Sequence, residues 1–284
     1  MMIRVPVFCL LLSLGLLPTP VRGAGLALSG PLVPGSAVLL AVTGAPSGAR
    51  FSAGRLGGQE FPLTDDGRAL LALDMETPKA ALTLTVTVTA PNGVREVLKK
   101  KVAVPARKYK EEHLSLPKGK VDLAPQALAR AETETRAIQA TYERRGGRPG
   151  FLEGFRLPVA GARVSGVFGS RRILNGQPRR PHNGVDLAAP RGTLVVAIAP
   201  GVVALTGRDY FFTGNTVAVD HGHGIISLYA HLDEIRVTEG AWLPAGTVLG
   251  SLGMTGRATG PHLHYGVMVR KQRVDPLRLP GVEP

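Results

Sequence analysis

The sequence predicts a mainly β protein: an N-terminal β-sandwich, a helical linker and a C-terminal compact antiparallel β domain. Three observations carry this. Glycine (36) and proline (23) are abundant and punctuate the chain at short intervals. Apolar residues alternate with threonine or small residues in short runs, the period of a half-buried strand. A single stretch between the strand-rich halves carries apolar residues at helical spacing instead. A length of 284 residues suits two domains better than one.

Residues 1–23 read as an export signal. Arg4 supplies a positive start, the apolar run "VPVFCLLLSLGLL" is short for a bilayer span, and Pro18 and Pro20 break it. Val21 and Gly23 offer small residues at a cleavage site. Cys9 lies inside the apolar run, so the mature chain would hold no cysteine. That excludes disulfides and a thiol nucleophile, and leaves His and carboxylates for any metal site. With the signal removed, no membrane span is expected.

Residues 24–105 contain "SAVLLAV", "ALLALDM", "ALTLTVTVTA" and "LKKKVAV", with a hairpin signal at Asn92-Gly93. These predict a small sandwich that spaces or docks the rest of the chain. Asp65-Asp66 read as a turn and Lys99 to Lys101 as a solvated strand end. Residues 106–150 form a linker with one helix. Asp122 is a cap candidate, Pro125 sits in the first turn, and Gly146-Gly147 stop the helix. Leu128, Ala131, Thr135, Ile138 and Tyr142 form a packing stripe, and the helix reads as a strut between domains.

Residues 151–284 return to short strands separated by Gly-rich turns, among them "GVDLAAP", "NTVAVDHG", "IISLYAHL" and "HLHYGVMV". Six of the seven histidines fall between His182 and His264. His182 and Asp186 are four apart in "PHNGVD". A straight strand would hold them about 13 Å apart, so they meet only if the chain bends, and Asn183-Gly184 bends cheaply. In "PHLHYGV", His262 and His264 point to one face of a strand with Leu263 opposite. His231 ends a strand, with Tyr229 expected on its own face and Leu232 opposite.

Three protein ligands with one open position mark a catalytic zinc site, and without cysteine the ligand set available is two histidines and a carboxylate. The remaining histidines could then move protons or stabilise an oxyanion.

"GVFGSRR…HNGVDLAAPRGT", "GNTVAVDHGHG…SLYAHL" and "GSLGMTGRATGPHLHYGV" resemble the lysostaphin/LytM-type, or β-lytic, zinc metallopeptidases over roughly residues 155–278. The resemblance implies a compact antiparallel β domain with an open groove. It implies one zinc ion per chain held by His182, Asp186 and His264, with His231 and His262 as the catalytic pair. It implies peptide cross-links of peptidoglycan as substrate. The preceding β domain and helix resemble the arrangement in exported Gram-negative members, which suits a periplasmic or envelope location.

Net charge is +13, or +11 after loss of Arg4 and Arg22 with the signal. So basic an exported protein is drawn to anionic envelope polymers. Nucleic acid is excluded as the partner: the basic residues are scattered and stacking aromatics are few. Arg171, Arg172 and Asn175 are read either as groove residues that hold a stem-peptide carboxylate or as ordinary loop charges. His221 and His223 are expected at a turn or groove rim, and His113 solvated in the linker. Trp242 is read as core or rim, not a sugar platform. A non-catalytic peptidoglycan-binding protein or activator of other wall hydrolases is the rival function. The complete set of ligands and catalytic histidines weighs against it. A third reading is a latent enzyme whose groove is covered by the N-terminal part.

Overall fold

A computed structural model describes residues 23–52, 54–114, 125–174, 176–178 and 180–282. The expected export signal before Gly23, the Asp122 cap and Asn175 lie outside them. No helix among the described residues is long and apolar enough to cross a membrane.

The N-terminal part runs through β1 (Gly25–Leu28), β2 (Ala37–Thr43), β3 (Arg50–Phe51), β4 (Gly54–Leu56), β5 (Gln59–Phe61), β6 (Arg68–Ala72), β7 (Ala80–Thr89) and β8 (Arg95–Val104). β1, β2 and β6 make one sheet, and β3, β7, β4 and β5, with β8 on β7, make the other. The alternation in β7 does what its period requires. Leu84, Val86 and Val88 point into the core, and the threonines between them face outward. β8 pairs with β7 from Ala80↔Val104 to Thr89↔Arg95. Gly93 supplies the left-handed turn position at φ 84°, and the Asn92 side chain accepts from the Val94 amide. Leu40 and Leu71 of one sheet share a core with Leu84, Val88 and Leu98 of the other, so the sandwich forms as expected.

Next come β9 (Glu111–Leu114) and α1 (Pro125–Thr141), then β10 (Arg163–Gly166), β11 (Arg171–Leu174), β12 (Gln177–Pro178), β13 (Gly184–Ala188), β14 (Leu194–Val196), β15 (Gly201–Tyr210), β16 (Gly214–Asp220), β17 (Ile225–Ile235), β18 (Trp242–Leu243), β19 (Val248–Leu252), β20 (Leu263–Val269) and β21 (Gln272–Val274). A ten-stranded sheet has the central order β10-β13-β20-β17-β16-β15-β18, with β14, β19 and β21 attached. Its pairs are antiparallel.

Three expectations change here. His113 is not in a loose linker: its backbone lies in β9, which pairs in parallel with β11 opposite Ile173. The strands β9 and β11 have four residues each and no alternation of apolar and polar residues, so periodicity does not reveal them. The helix is not a strut between domains. Ile138 packs with Ala218, Ile226 and Leu228, which lays α1 on the C-terminal sheet. Ala131, Ile138 and Thr141 are buried, whereas Leu128 of the expected stripe is exposed.

The sandwich docks directly on the C-terminal sheet. Ala37, Leu70, Ala72 and Met75 join the C-terminal core. Arg273 of β21 grips Asp74 with two hydrogen bonds, at 2.9 and 2.6 Å, and reaches Glu76 at 2.7 Å. This is the planar bidentate geometry that suits guanidinium and carboxylate. Arg107 bridges the Pro34 carbonyl and Asp275.

Candidate metal centre and groove

Asp186 of β13 lies directly opposite His264 of β20 in the antiparallel register, so both side chains rise from the same face. His264 Nδ1 is 3.0 Å from Asp186 Oδ1. His182 stands in the loop before β13. The Gly169 amide donates to its carbonyl at 2.8 Å, and its own amide donates to Ser170 at 3.0 Å. Thus fixed, His182 Nε2 comes within 3.1 Å of Asp186 Oδ1 and 3.0 Å of His264 Nδ1.

The bend between His182 and Asp186 exists, but Gly184 is needed for a different reason than expected. Its φ is not positive. A Cβ there would stand 2.4 Å from the Tyr265 carbonyl oxygen, so glycine lets β13 close against β20. Gly166 does the same for β10, where a Cβ would meet Asp186 Oδ2 at 2.2 Å.

Three ligand atoms at 3.0–3.1 Å form a near-equilateral triangle. Tetrahedral coordination with bonds of about 2.0 Å places ligand atoms about 3.3 Å apart, so the triangle is nearly one face of a zinc tetrahedron. His182, Asp186 and His264 are the three residues that could share an ion. The donor chemistry fits as well. His182 Nδ1 is 3.1 Å from the Val167 carbonyl oxygen and donates to it, which leaves the Nε2 lone pair turned to the triangle. Burial opposes the Asp186 charge, yet its close contacts with His182 and His264 hold its carboxyl well below the usual carboxylate range. Burial likewise lowers His264, which favours the neutral imidazole that a metal requires.

His231 reaches this centre by an irregularity. The neighbouring register puts Ala230 opposite His264, so plain alternation would send His231 to the far face. Between Val217↔Tyr229 and Asn215↔Leu232 the register slips by one residue, and His231 takes φ 64°. This bulge turns the imidazole back to the groove. The expectation that Tyr229 shares its face is therefore corrected: Tyr229 is buried in the core, stacked on Tyr265 at 5.8 Å.

The His231 ring lies 4.7 Å from the His262 ring and 6.4 Å from the His264 ring. His231 Nδ1 donates to the Thr255 carbonyl at 2.8 Å, and His262 Nδ1 to the Gly260 carbonyl at 2.8 Å. Both rings are thereby held in the tautomer that frees Nε2. His262 Nε2 is 4.0 Å from Asp186 Oδ1. Burial lowers His231 to about 4, so it is neutral at pH 7. Such a cluster has three metal donors and two free imidazole nitrogens, the parts needed for hydrolysis of a carbonyl compound.

All five predicted residues therefore meet in one place. His221, His223 and Arg171 do not join them. His221 is fully buried between the Pro200 carbonyl and Ser227, and with His223 it lies at the opposite end of β16 and β17. Arg171 is half-exposed and faces Glu76 of the sandwich at 3.9 Å. Sequence reasoning missed the carbonyls of Val167 and Thr255 that orient the rings, since a backbone acceptor leaves no residue-type signal. It also missed the pair of Phe212 and Arg257, whose guanidinium lies 4.4 Å from the ring centre.

A model of peptidase family M23 matches residues 180–276. The chain is 42% identical over 125 residues to the DD-carboxypeptidase/endopeptidase Mpg of Neisseria meningitidis serogroup B. It is 41% identical over 125 residues to the peptidoglycan DD-endopeptidase ShyA of Vibrio cholerae. These matches cover 44% and 43% of this chain but 29% of each relative's length. The crystal structure of a candidate M23 peptidase from Pseudomonas aeruginosa is 32% identical, with a TM-score of 0.63. That likeness covers 88% of this chain and 95% of the other.

Proposed function

The chain belongs to peptidase family M23, and from that premise we propose that it is a zinc-dependent endopeptidase that hydrolyses peptide cross-links of peptidoglycan in the cell envelope. The observation that carries this reading is the triangle of His182, Asp186 and His264 with two free imidazole nitrogens beside it. The curated relatives named as acting on peptidoglycan support the substrate class.

In this reading His182, Asp186 and His264 hold the ion, and His231 and His262 form the catalytic pair. Bound zinc supplies a Lewis acid and a water acidic enough to attack at neutral pH. His231, neutral through burial, takes a proton at Nε2. His262, with Nδ1 fixed on Gly260, presents Nε2 to the scissile amide, and the proton that the pair takes from the attacking water is the one it returns to the leaving amine. The carbonyls of Thr255 and Gly260 keep both rings from rotating away. The apolar run of residues 1–23 and the net charge of +13 support export to the envelope.

The deciding experiment is digestion of purified cross-linked peptidoglycan, read by mass spectrometry with and without a chelator. New free amines at cross-links, lost on chelation and restored by zinc, are the expected result. Intact cross-links with zinc-loaded protein would overturn the proposal.

A further inference from the structure

At the end of the sheet away from the metal centre lies a cavity of about 410 Å³. The turn after α1 and its continuation, Arg144 to Gly150, form one wall, and Pro200 to Val202, Asp220 and Gly222 form the floor. Trp242 of the edge strand β18 stands at the rim. Asp220 pairs with Val202 and with Ile226, at the far end of the same strands whose other end holds Gly214 and His231. Six residue steps along β16 separate Asp220 from Gly214, which is roughly 20 Å of strand. This cavity is thus no part of the catalytic groove.

Its chemistry is unusual for an idle surface. Arg144 is neutralised by Asp220 at 2.8 Å. Arg145 donates to the carbonyls of Tyr142 and Arg144 and lies near enough to Glu143 to add to Lys271 in lowering its carboxyl pKa, but neither Arg145 nor Arg148 forms a salt bridge among the described residues. Glu153 adds an acceptor to the lining. Trp242 is 55% exposed, the rim and not the core of the two positions the sequence left open. The floor is preformed: the Gly150 amide donates to the His221 carbonyl at 2.8 Å, and a Cβ on Gly222 would strike the Arg148 carbonyl at 2.3 Å.

An exposed indole beside planar bidentate groups is the chemistry that recognises a saccharide. The ring stacks on the apolar C–H face of a sugar. Carboxylate and guanidinium groups hydrogen-bond its hydroxyls, and unpaired guanidiniums take a carboxylate substituent. We propose that this cavity is a second, non-catalytic site for a saccharide that bears an acidic peptide, with the sugar ring on Trp242 and a carboxylate of the peptide at Arg145 and Arg148. Its natural source, resting on the peptidase reading, is the peptide-bearing glycan strand of peptidoglycan. The site tethers the enzyme to the polymer while the groove works on a cross-link elsewhere.

Trp242 is the single tryptophan in the chain, so intrinsic emission reports on this rim alone. The full chain is titrated with an uncross-linked disaccharide–tetrapeptide, which offers no cross-link to cut. A saturable change in emission is expected, with at least tenfold weaker affinity in the R145A/R148A double variant. No saturable change in the wild type, or a double variant that titrates like the wild type, would overturn the proposal. Cleavage of a small soluble cross-linked peptide, assayed in parallel, is expected to be equal in both proteins. Failure of that cleavage in the wild type would strike the peptidase reading and leave the saccharide titration standing.

Discussion

His231 Nδ1 lies 2.8 Å from the carbonyl oxygen of Thr255, on a residue whose backbone is held at φ 64°. The bulge turns the ring to the groove, and the Thr255 bond fixes which nitrogen carries the proton. On the proposed function a ring so placed is expected to serve proton transfer and not metal binding, because the ion-sized triangle is already complete without it. His231→Ala should therefore keep its zinc, measured by metal analysis, while kcat falls by about 10²–10⁴-fold. His262→Ala should behave alike. Loss of zinc from either variant would move that histidine into the ligand set.

The bulge also marks where the sequence stops being legible. His262 and His264 were readable as a pair from their spacing on a strand, whereas His182 and Asp186 joined them only through the family resemblance, since their spacing left the bend to be supposed. His231 was found by motif, but its face was misassigned, since period-two alternation fails wherever one strand carries an extra residue. The β7–β8 hairpin was legible for the opposite reason: eight residues, Leu82 to Thr89, alternate without interruption. The pairing of β9 with β11 left no trace, because a four-residue strand without alternation has no apolar face to pattern. The helix was visible but its partner was not. A stripe of Ala, Thr and Ile says that something is covered and does not say which sheet.

Ligand removal gives the complementary expectation. His264 sits directly opposite Asp186 and closes the triangle with His182. His264→Ala should abolish zinc binding and turnover together. Asp186→Asn is a subtler case, because it keeps the shape and removes the charge that His182 and His264 hold in place. It should weaken zinc by at least tenfold, measured by competition with a chelating dye. Activity retained in His264→Ala would refute the ligand assignment.

Helix α1 contributes to the groove from behind. Glu134 Oε2 accepts from the Phe211 amide at 2.6 Å, and Arg130 ties Glu134 to Asp209 on the same hairpin. Two residues on, the Thr213 carbonyl accepts from the His231 amide at 2.8 Å. The helix thus braces the tip that seats the catalytic ring. Glu134→Ala strands the Phe211 amide, at a cost of about 1–3 kcal/mol shared between stability and position. The expected outcome is a several-fold fall in kcat with KM and zinc content unchanged, and recovery in Glu134→Gln, which keeps an acceptor. A kcat equal to wild type in Glu134→Ala would show that the hairpin holds its place unaided.

His221 predicts the acid limit of stability. Its ring is fully buried, with Nδ1 2.8 Å from the Pro200 carbonyl and Nε2 2.7 Å from Ser227 Oγ. Burial pushes it down from 6.5 to about 4. Between those values the unfolded chain binds a proton that the folded chain refuses, so stability falls as pH falls. The contribution is complete above pH 6.5 and is lost progressively down to about pH 4, reaching roughly 3 kcal/mol over the full window. Between pH 7.5 and 5 the wild type should lose about 2 kcal/mol more in urea unfolding than His221→Gln, which has no proton to gain. Parallel losses in the two proteins over that range would mean that His221 takes up its proton in the folded state.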